Sequence, residues 1–306
     1  MVKKLHVLNV WQGSTSLQEL SNGQIVLVDY NQLDDENSLN IIDYIKDNLP
    51  STDWKWTIDY LFITHPDLDH IKGLKNLFDD SEIEVLKIYH SWYEKDVSED
   101  DPNYQDFKNY QDIVKKNDSV VFKAQSESIL DFDWIKIYCF GPSGNEKKED
   151  DVHDRCWIIK IDDNWYTVMY PWDSSFSQRK DRVVPYYGTD KDNMLESNIL
   201  LASHHGSRSF FMTNEWDDPY KDWLNKINPQ KCVISAWEDN QHDHPHDDAL
   251  KIYEEKVWKD NVYITYNEEK SVVLDLDTDF SKKSQTTVSS PYFTTSVTPQ
   301  KPRCNL

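Results

Sequence analysis

The chain has 306 residues, with 55 acidic against 33 basic side chains and a formal net charge of −22. That length accommodates one large α/β domain or two small ones and can bury a substantial core. So acidic a chain argues against broad, sequence-independent binding to a phosphate backbone, though not against a local site where metal ions supply positive charge.

Twelve Trp, seventeen Tyr and eleven Phe provide large apolar surface. Cys139, Cys156, Cys232 and Cys304 are widely spaced without a CxxC pair, which reads as core thiols plus one in the tail, in a reducing compartment. The opening residues read as a first strand and not a signal peptide, because His6 and Asn9 interrupt the apolar stretch and Trp11-Gln12-Gly13 ends it. No apolar segment approaches the roughly 20 residues of a membrane span, so a soluble cytoplasmic protein is expected.

In chain order, residues 4–11 and 24–29 read as strands, with a third around 15–20 and Ser21-Asn22-Gly23 as a tight hairpin turn. Residues 37–48 have a helical apolar pattern with Pro50 just past the end. The apolar run 58–63 reads as a buried strand, followed by a polar loop and a short helix over about 71–78. Residues 82–89 read as one strand ending at His90, and 94–118 as an acidic helix or lid carrying Tyr104, Phe107 and Tyr110. Strands follow at 119–122 and 135–140, then a charged loop over 141–151 where two halves of a layered fold could meet. Residues 156–161 and 165–169 form a hairpin around Asp162-Asp163-Asn164. Further strands are expected at 198–202, 231–236, 262–265 and 271–276, and helices at 220–227 and 247–257. Residues 281–306, rich in Ser, Thr, Gln and Pro, read as a flexible polar tail after a domain over 1–280. Alternating strands and helices, with hairpins in both halves, fit an α/β (α+β) two-sheet sandwich with helices outside.

The chemistry concentrates where strands end. Thr64-His65-Pro66-Asp67-Leu68-Asp69-His70 follows the 58–63 strand and offers two imidazoles and two carboxylates at one sheet edge. That mixture suits zinc, manganese or iron better than calcium, which prefers oxygen alone. A merely polar loop is the bland reading, and four donors within six residues straight after an apolar strand count against it. Asp173 follows another strand and is the kind of acid that can bridge two metals, although a lone aspartate also serves as a turn or cap. In His204-His205 an extended backbone would point one ring at a metal or substrate and the other elsewhere. His242-Asp243-His244-Pro245-His246 is a further donor-rich loop. His6 is expected to be packed or at the surface, His90 could be a ligand, and His153 in its charged loop is expected to be solvated. Two divalent ions held by such donors can share a hydroxide and clamp an ester or phosphoester oxygen, while a histidine beyond the ligands stabilises charge or protonates a leaving group.

These motifs resemble a family. His65-x-Asp67-x-Asp69-His70 is similar to the HxDxDH form of the metallo-β-lactamase signature. Asn9-Val10-Trp11-Gln12-Gly13-Ser14 with Gln24–Asp29 resembles the DVGQGDA…ILIDTG opening of the soluble domain of ComEC-type competence proteins. Ala202-Ser203-His204-His205-Gly206-Ser207 is similar to that group's HHGS element, and Val233-Ile234-Ser235-Ala236 through His244-Pro245-His246 to its late strand and HPH element. The resemblance, in order over about residues 4–276, implies a four-layer αβ/βα sandwich with two divalent ions, Zn2+ or Mn2+. It implies His65, Asp67, Asp69, His70, Asp173 as bridging acid and His244 as metal ligands, with His246 the alternative late histidine. Asp69, His204 and His205 would serve catalysis. The departures are Trp172 where Gly precedes the bridging acid, Asn9 for the opening Asp, Lys72 for the first glycine of DHxGG, and no evident third-position histidine before Asp173.

The expected function is metal-dependent hydrolysis of a phosphoester, on nucleotides, single-stranded ends or another small substrate. Acyl ester, lactone or thioester hydrolysis is the chemical alternative. A non-catalytic metal-binding partner protein, docking through the aromatic acidic segment 92–122, is the alternative of another class.

Overall fold

The structure, a computed structural model, describes residues 3–11, 13–35, 38–91, 97–117, 120–121, 128–132, 134–140, 153, 156–163, 166–189, 193–212, 217–238, 240–267 and 271–277. The 141–151 loop, the 281–306 tail and Cys304 lie outside the described residues.

The first half runs β1 (Lys4–Leu8), β2 (Ser16–Glu19), β3 (Ile25–Val28), α1 (Ile41–Asn48), β4 (Trp56–Ile58), β5 (Tyr60–Ile63), α2 (Leu68–Ile71), α3 (Leu74–Asp79), β6 (Ile83–Val85), β7 (Ile88–His90), α4 (Tyr104–Lys116) and β8 (Val120–Val121). The second runs β9 (Ser128–Phe132), β10 (Ile135–Phe140), β11 (Ile158–Asp162), β12 (Thr167–Tyr170), a π-helical turn (Gln178–Val183) leading into α5 (Val184–Tyr187), β13 (Ile199–Leu201), α6 (Asp222–Ile227), β14 (Lys231–Ile234), α7 (Asp247–Val257), β15 (Val262–Ile264) and β16 (Ser271–Asp275). They make two seven-stranded sheets, β16-β1-β2-β3-β5-β7-β8 and β15-β14-β13-β12-β11-β10-β9. In each sheet one half is antiparallel and the other parallel: β3, β5, β7 and β8 in the first, β12 to β15 in the second.

Strand alternation sorts the apolar side chains into three layers. Val26, Val28, Tyr60 and Phe62 meet Ile159, Ile161, Val168 and Leu201 between the sheets. Ile25, Leu27, Leu61 and Ile63 face outwards under α1, α3 and α4, and Met169, Leu200, Cys232 and Ile234 do the same under α6 and α7. Helix–sheet–sheet–helix is the four-layer arrangement expected from the sequence. Among the described residues no helix is long and apolar enough to cross a membrane.

Local chemistry sets the boundaries. Asn40 caps α1 by accepting from Asp43 N at 3.2 Å, so this helix starts at 41 and not 37. The expected 58–63 strand divides at Asp59, whose carboxylate accepts Ile25 N at 2.8 Å, and β4 pairs with β6 in a separate small sheet. For the same reason residues 82–89 are two strands and not one. The helix expected over 71–78 is two: α2 carries Asp69 and His70 itself, and Gly73 at φ 68 separates it from α3. In α4, Phe107 and Tyr110 turn inwards to the outer core, while Tyr104 is half-buried.

The two sheets are tied at one end by Asp163. It is fully buried, accepts from Ser21 N at 2.6 Å and Tyr166 Oη at 2.8 Å, and also bonds Ser21 Oγ. Asp163→Ala strands these donors, and should cost about 1–3 kcal/mol, read as a lower urea midpoint with an unchanged slope.

Candidate metal centre

Parallel strands expose their carboxyl ends at one sheet edge, where α/β proteins gather ligand-binding groups. Here β3 ends at Asp29, β5 at Thr64-His65, β12 at Asp173, β13 at Ser203–His205 and β14 at Ser235. These five ends, from both sheets, build the site.

Asp29 is completely buried, with a left-handed backbone at φ 56. Its carboxylate accepts from Thr64 N at 2.8 Å, Thr64 Oγ1 at 2.7 Å and His70 Nδ1 at 2.7 Å. With Nδ1–H donated to Asp29, Nε2 of His70 is the free nitrogen, 3.5 Å from Asp173 Oδ2 and 3.6 Å from Asp69 Oδ2. His65 Nε2 lies 3.6 Å from Asp67 Oδ2 and 3.9 Å from Asp173 Oδ2, while its Nδ1 faces Cys156 Sγ at 3.7 Å. Cys139, Cys156 and Cys232 are all buried free thiols.

His204 and His205 are not on the extended backbone expected. Both adopt left-handed dihedrals, φ 49 and 55, in a tight turn. His205 Nδ1 donates to Ser235 O at 2.8 Å, leaving Nε2 3.3 Å from Asp69 Oδ2. His204 Nε2 lies 4.0 Å from Asp173 Oδ2.

His153 corrects the sequence reading. It is not merely solvated: its Nε2 lies 3.7 Å from Asp67 Oδ2, and its ring is 5.2 Å from His204 and 5.9 Å from His65. It occupies the place between the first loop and Asp173 where no histidine stood out. Its charged surroundings gave no local signal, and only the fold brings it in. Asp29 and Arg179 were also missed as site-supporting residues, although Asp29 follows a buried apolar strand just as Asp173 does.

The late histidines separate by their partners. His246 Nδ1 accepts from Arg208 N at 3.1 Å, while the buried His244 Nδ1 has no hydrogen-bond partner. The His244 ring lies 5.8 Å from His204 and 6.2 Å from His205, beside the cluster, and joins none of its tight donor groups. His90 turns away, bonding Ser91 O at 2.9 Å with its ring edge-on to Tyr110 on α4. His6 is buried against Tyr44 and Glu19.

Among the described residues four overlapping donor triads result: His65–His70–Asp173, His65–Asp67–His153, His153–Asp173–His204 and Asp69–Asp173–His205, each within 4.8 Å. Asp173 belongs to three of them. His65 Nε2, His70 Nε2 and Asp173 Oδ1 are buried without hydrogen-bond partners, and unpaired buried polar atoms are costly. A mixed imidazole–carboxylate set with such orphaned atoms fits divalent metal ions.

Burial, with the nearby His70 charge, pushes His65 down to about 3. Burial also disfavours charge on His70, but Asp29, Asp69 and Asp173 outweigh it and hold its pKa well above the ordinary value. Burial disfavours charge on His205 as well, and Asp69 and Asp173 again reverse it. His204 is lowered, chiefly by burial.

The loops carrying Asp173 and His204 are joined by Arg179, which is 2% exposed. Its guanidinium donates to Ser174 O and Oγ, to Ser203 Oγ at 3.3 Å and to Phe210 O at 2.9 Å, and lies 4.2 Å over the Phe210 ring.

A sequence model of the Metallo-beta-lactamase superfamily matches residues 55–145. Among solved structures, the metallo-beta-lactamase fold protein YhfI from Bacillus subtilis is similar at 14% identity and TM-score 0.51, over 89% of this chain and 99% of that one. Igni18, a metallo hydrolase from the archaeon Ignicoccus hospitalis, is similar at 13% identity and TM-score 0.52, over 88% of this chain and 98% of that one. No curated protein matches the sequence significantly. The chain has the metallo-β-lactamase fold.

Two outcomes are expected at this site. A raised pKa means that His70 carries a proton at pH 7 in the metal-free chain, and a metal taking Nε2 must displace it. Metal affinity should therefore rise with pH until the raised His70 pKa is passed; calorimetry at pH 7 in buffers of different ionisation enthalpy should detect proton release, diminished in His70→Ala. Arg179→Met, which leaves buried carbonyls unpaired, should lower stability by about 1–3 kcal/mol in urea unfolding and weaken metal binding in a parallel titration.

Proposed function

We propose that the chain is a metal-dependent hydrolase of phosphoesters. The observation that carries this reading is Asp173, one buried carboxylate shared by three donor triads drawn from both sheets. A shared acid with separate imidazoles on either side suits two ions of zinc or manganese. When bound, such a pair supplies a hydroxide at neutral pH and clamps the oxygens of a displacement.

The residues of the chain orient and exchange protons around that centre. Asp29 fixes His70 with Nε2 inwards. Ser235 O fixes His205 in the same way, so that Nε2 faces Asp69. His205, whose pKa the neighbouring Asp69 and Asp173 raise against burial, can stabilise developing negative charge or exchange a proton with a leaving group. His204, with its side chain 34% exposed, stands at the mouth beside His153, where it can meet substrate.

Phosphoesters are preferred over acyl esters because HxDxDH, HHGS and HPH together resemble the ComEC-type branch. The net charge of −22 favours nucleotides or single-stranded ends over long duplexes. Three buried free thiols are consistent with a reducing cytoplasm.

Purified chain should bind about two equivalents of Zn2+ or Mn2+, as a dinuclear site requires, and cleave bis-p-nitrophenyl phosphate faster than p-nitrophenyl acetate. Asp69→Ala and His70→Ala should each reduce cleavage by about 100-fold or more, the scale seen when transition-state stabilisers are removed. Unchanged cleavage in both variants would sink the site assignment, and faster acetate hydrolysis would overturn the substrate class.

A further inference from the structure

Trp11 and Trp237 lie in two loops whose neighbouring residues touch the candidate ligands. Trp11 lies flat on Trp237, with ring centroids 4.3 Å apart and planes within 9°. Trp11 comes from the loop after β1 and Trp237 from the loop after β14, and both remain half-exposed. These loops also touch the candidate ligands. Ser14 N donates to Asp69 O at 3.1 Å, Ser235 Oγ donates to Gly13 O at 2.8 Å, and Ser235 O holds His205. A Cβ on Gly13 would stand 2.9 Å from Asp69 O and 1.9 Å from Asn31 Nδ2, so this loop is seated tightly against α2. The indole pair therefore starts two residues from Gly13 on one side and two from Ser235 on the other.

The backbone holds the first of these rings in a left-handed conformation, as it does Trp54, Trp172 and Trp258. Trp11 has φ 63, a left-handed conformation that favours glycine and is unfavourable for a bulky side chain. Such outliers persist where the surroundings enforce them, and they gather at ligand clamps. A tryptophan serving only the core would be covered, as Trp157 is at 1% exposure. Trp11 keeps part of its surface open beside the cluster.

We propose that Trp11 and Trp237 form a stacking platform for the base of a nucleotide or of a single-strand end, whose phosphoester lies at the His/Asp cluster. This rests on the phosphoesterase reading above and gives it a substrate class. Every nucleobase has a π-face, so an indole platform holds any base and leaves its hydrogen-bonding edges unread. The acidic chain adds no extended track for a polyanion, which limits recognition to one or a few nucleotides.

The test is calorimetry on the full chain loaded with Mn2+, comparing thymidine 5′-monophosphate with methyl phosphate. The nucleotide should bind roughly 10-fold tighter or better, the scale of one base–aromatic stack. Trp11→Gly, which suits the left-handed backbone, and Trp237→Ala should each remove most of that preference at unchanged metal content, while Trp11→Phe should keep most of it. A preference that survives both ring deletions, or is missing from the wild-type chain, overturns the platform; the stack then only clamps two loops, and its deletion lowers Tm alone. Binding tetrathymidylate 5′-phosphate more tightly than the mononucleotide would identify strand ends as the source, and equal binding would identify single nucleotides. Loss of the preference in Trp11→Gly, with no wild-type cleavage of bis-p-nitrophenyl phosphate, would keep the platform and reject the hydrolase reading.

Discussion

The site depends on one buried carboxylate. Asp29 takes three hydrogen bonds, two from Thr64 and one from His70, and these are the two ends of the segment that carries four of the candidate ligands. An ionised carboxylate without solvent is tolerable only with such donors, and each donor is positioned by the same contact. Fixing Thr64 sets where β5 hands over to His65. Fixing His70 Nδ1 decides which nitrogen faces inwards. Tyr30 N donates to His70 O at 2.9 Å and Gln32 N to Lys72 O at 3.0 Å, so the segment after β3 and α2 move as one piece. The α2 turn places Asp69 and His70 side by side, which an extended loop would not do.

Proton occupancy follows from the same crowding. The His65 and His70 rings lie 4.1 Å apart and cannot both carry charge at little cost. The carboxylates divide the roles: His70 has Asp29 in direct hydrogen bond with Asp69 and Asp173 close by, whereas the equally buried His65 meets its acids only at 3.6–3.9 Å. One proton therefore sits on His70 and His65 stays neutral. At the centre the carboxylates thus outweigh the charged imidazoles, a setting suited to cation binding without a basic surface.

What was legible in the sequence was local. Parallel strands covered on both faces read as unbroken apolar runs, so Tyr60–Ile63, Ile199–Leu201 and Lys231–Ile234 could be placed together with the polar residues that end them. His65, Asp67, Asp69 and His70 were visible because the chain delivers them together. His153 was not, because its neighbours in sequence are charged and its partners, Asp67 and His204, come from distant strands. The same limit hid the division of residues 82–89 into β6 and β7, which depends on β4 pairing with one and β5 with the other. It also hid the turn at His204-His205, where two non-glycine residues share left-handed backbone.

That strained turn is not isolated. Trp172, immediately before Asp173, has φ 40, and Trp11 has φ 63; both border the cluster, and left-handed backbone costs an L-residue about 1–2 kcal/mol. Trp172 is closely packed, although its indole N–H is buried without a hydrogen-bond partner. Its ring is 1% exposed and meets His70 edge-on at 6.1 Å, and its carbonyl accepts from His204 N at 3.2 Å and from Ser203 Oγ. It therefore packs against His70 while standing immediately before Asp173 in the chain. Trp11 sits under the same backbone constraint without complete burial, since its one ring partner, Trp237, leaves it half-exposed. Trp54 and Trp258 share left-handed backbone and are exposed, so what sets Trp11 apart is its stack with Trp237 between two loops that touch the candidate ligands.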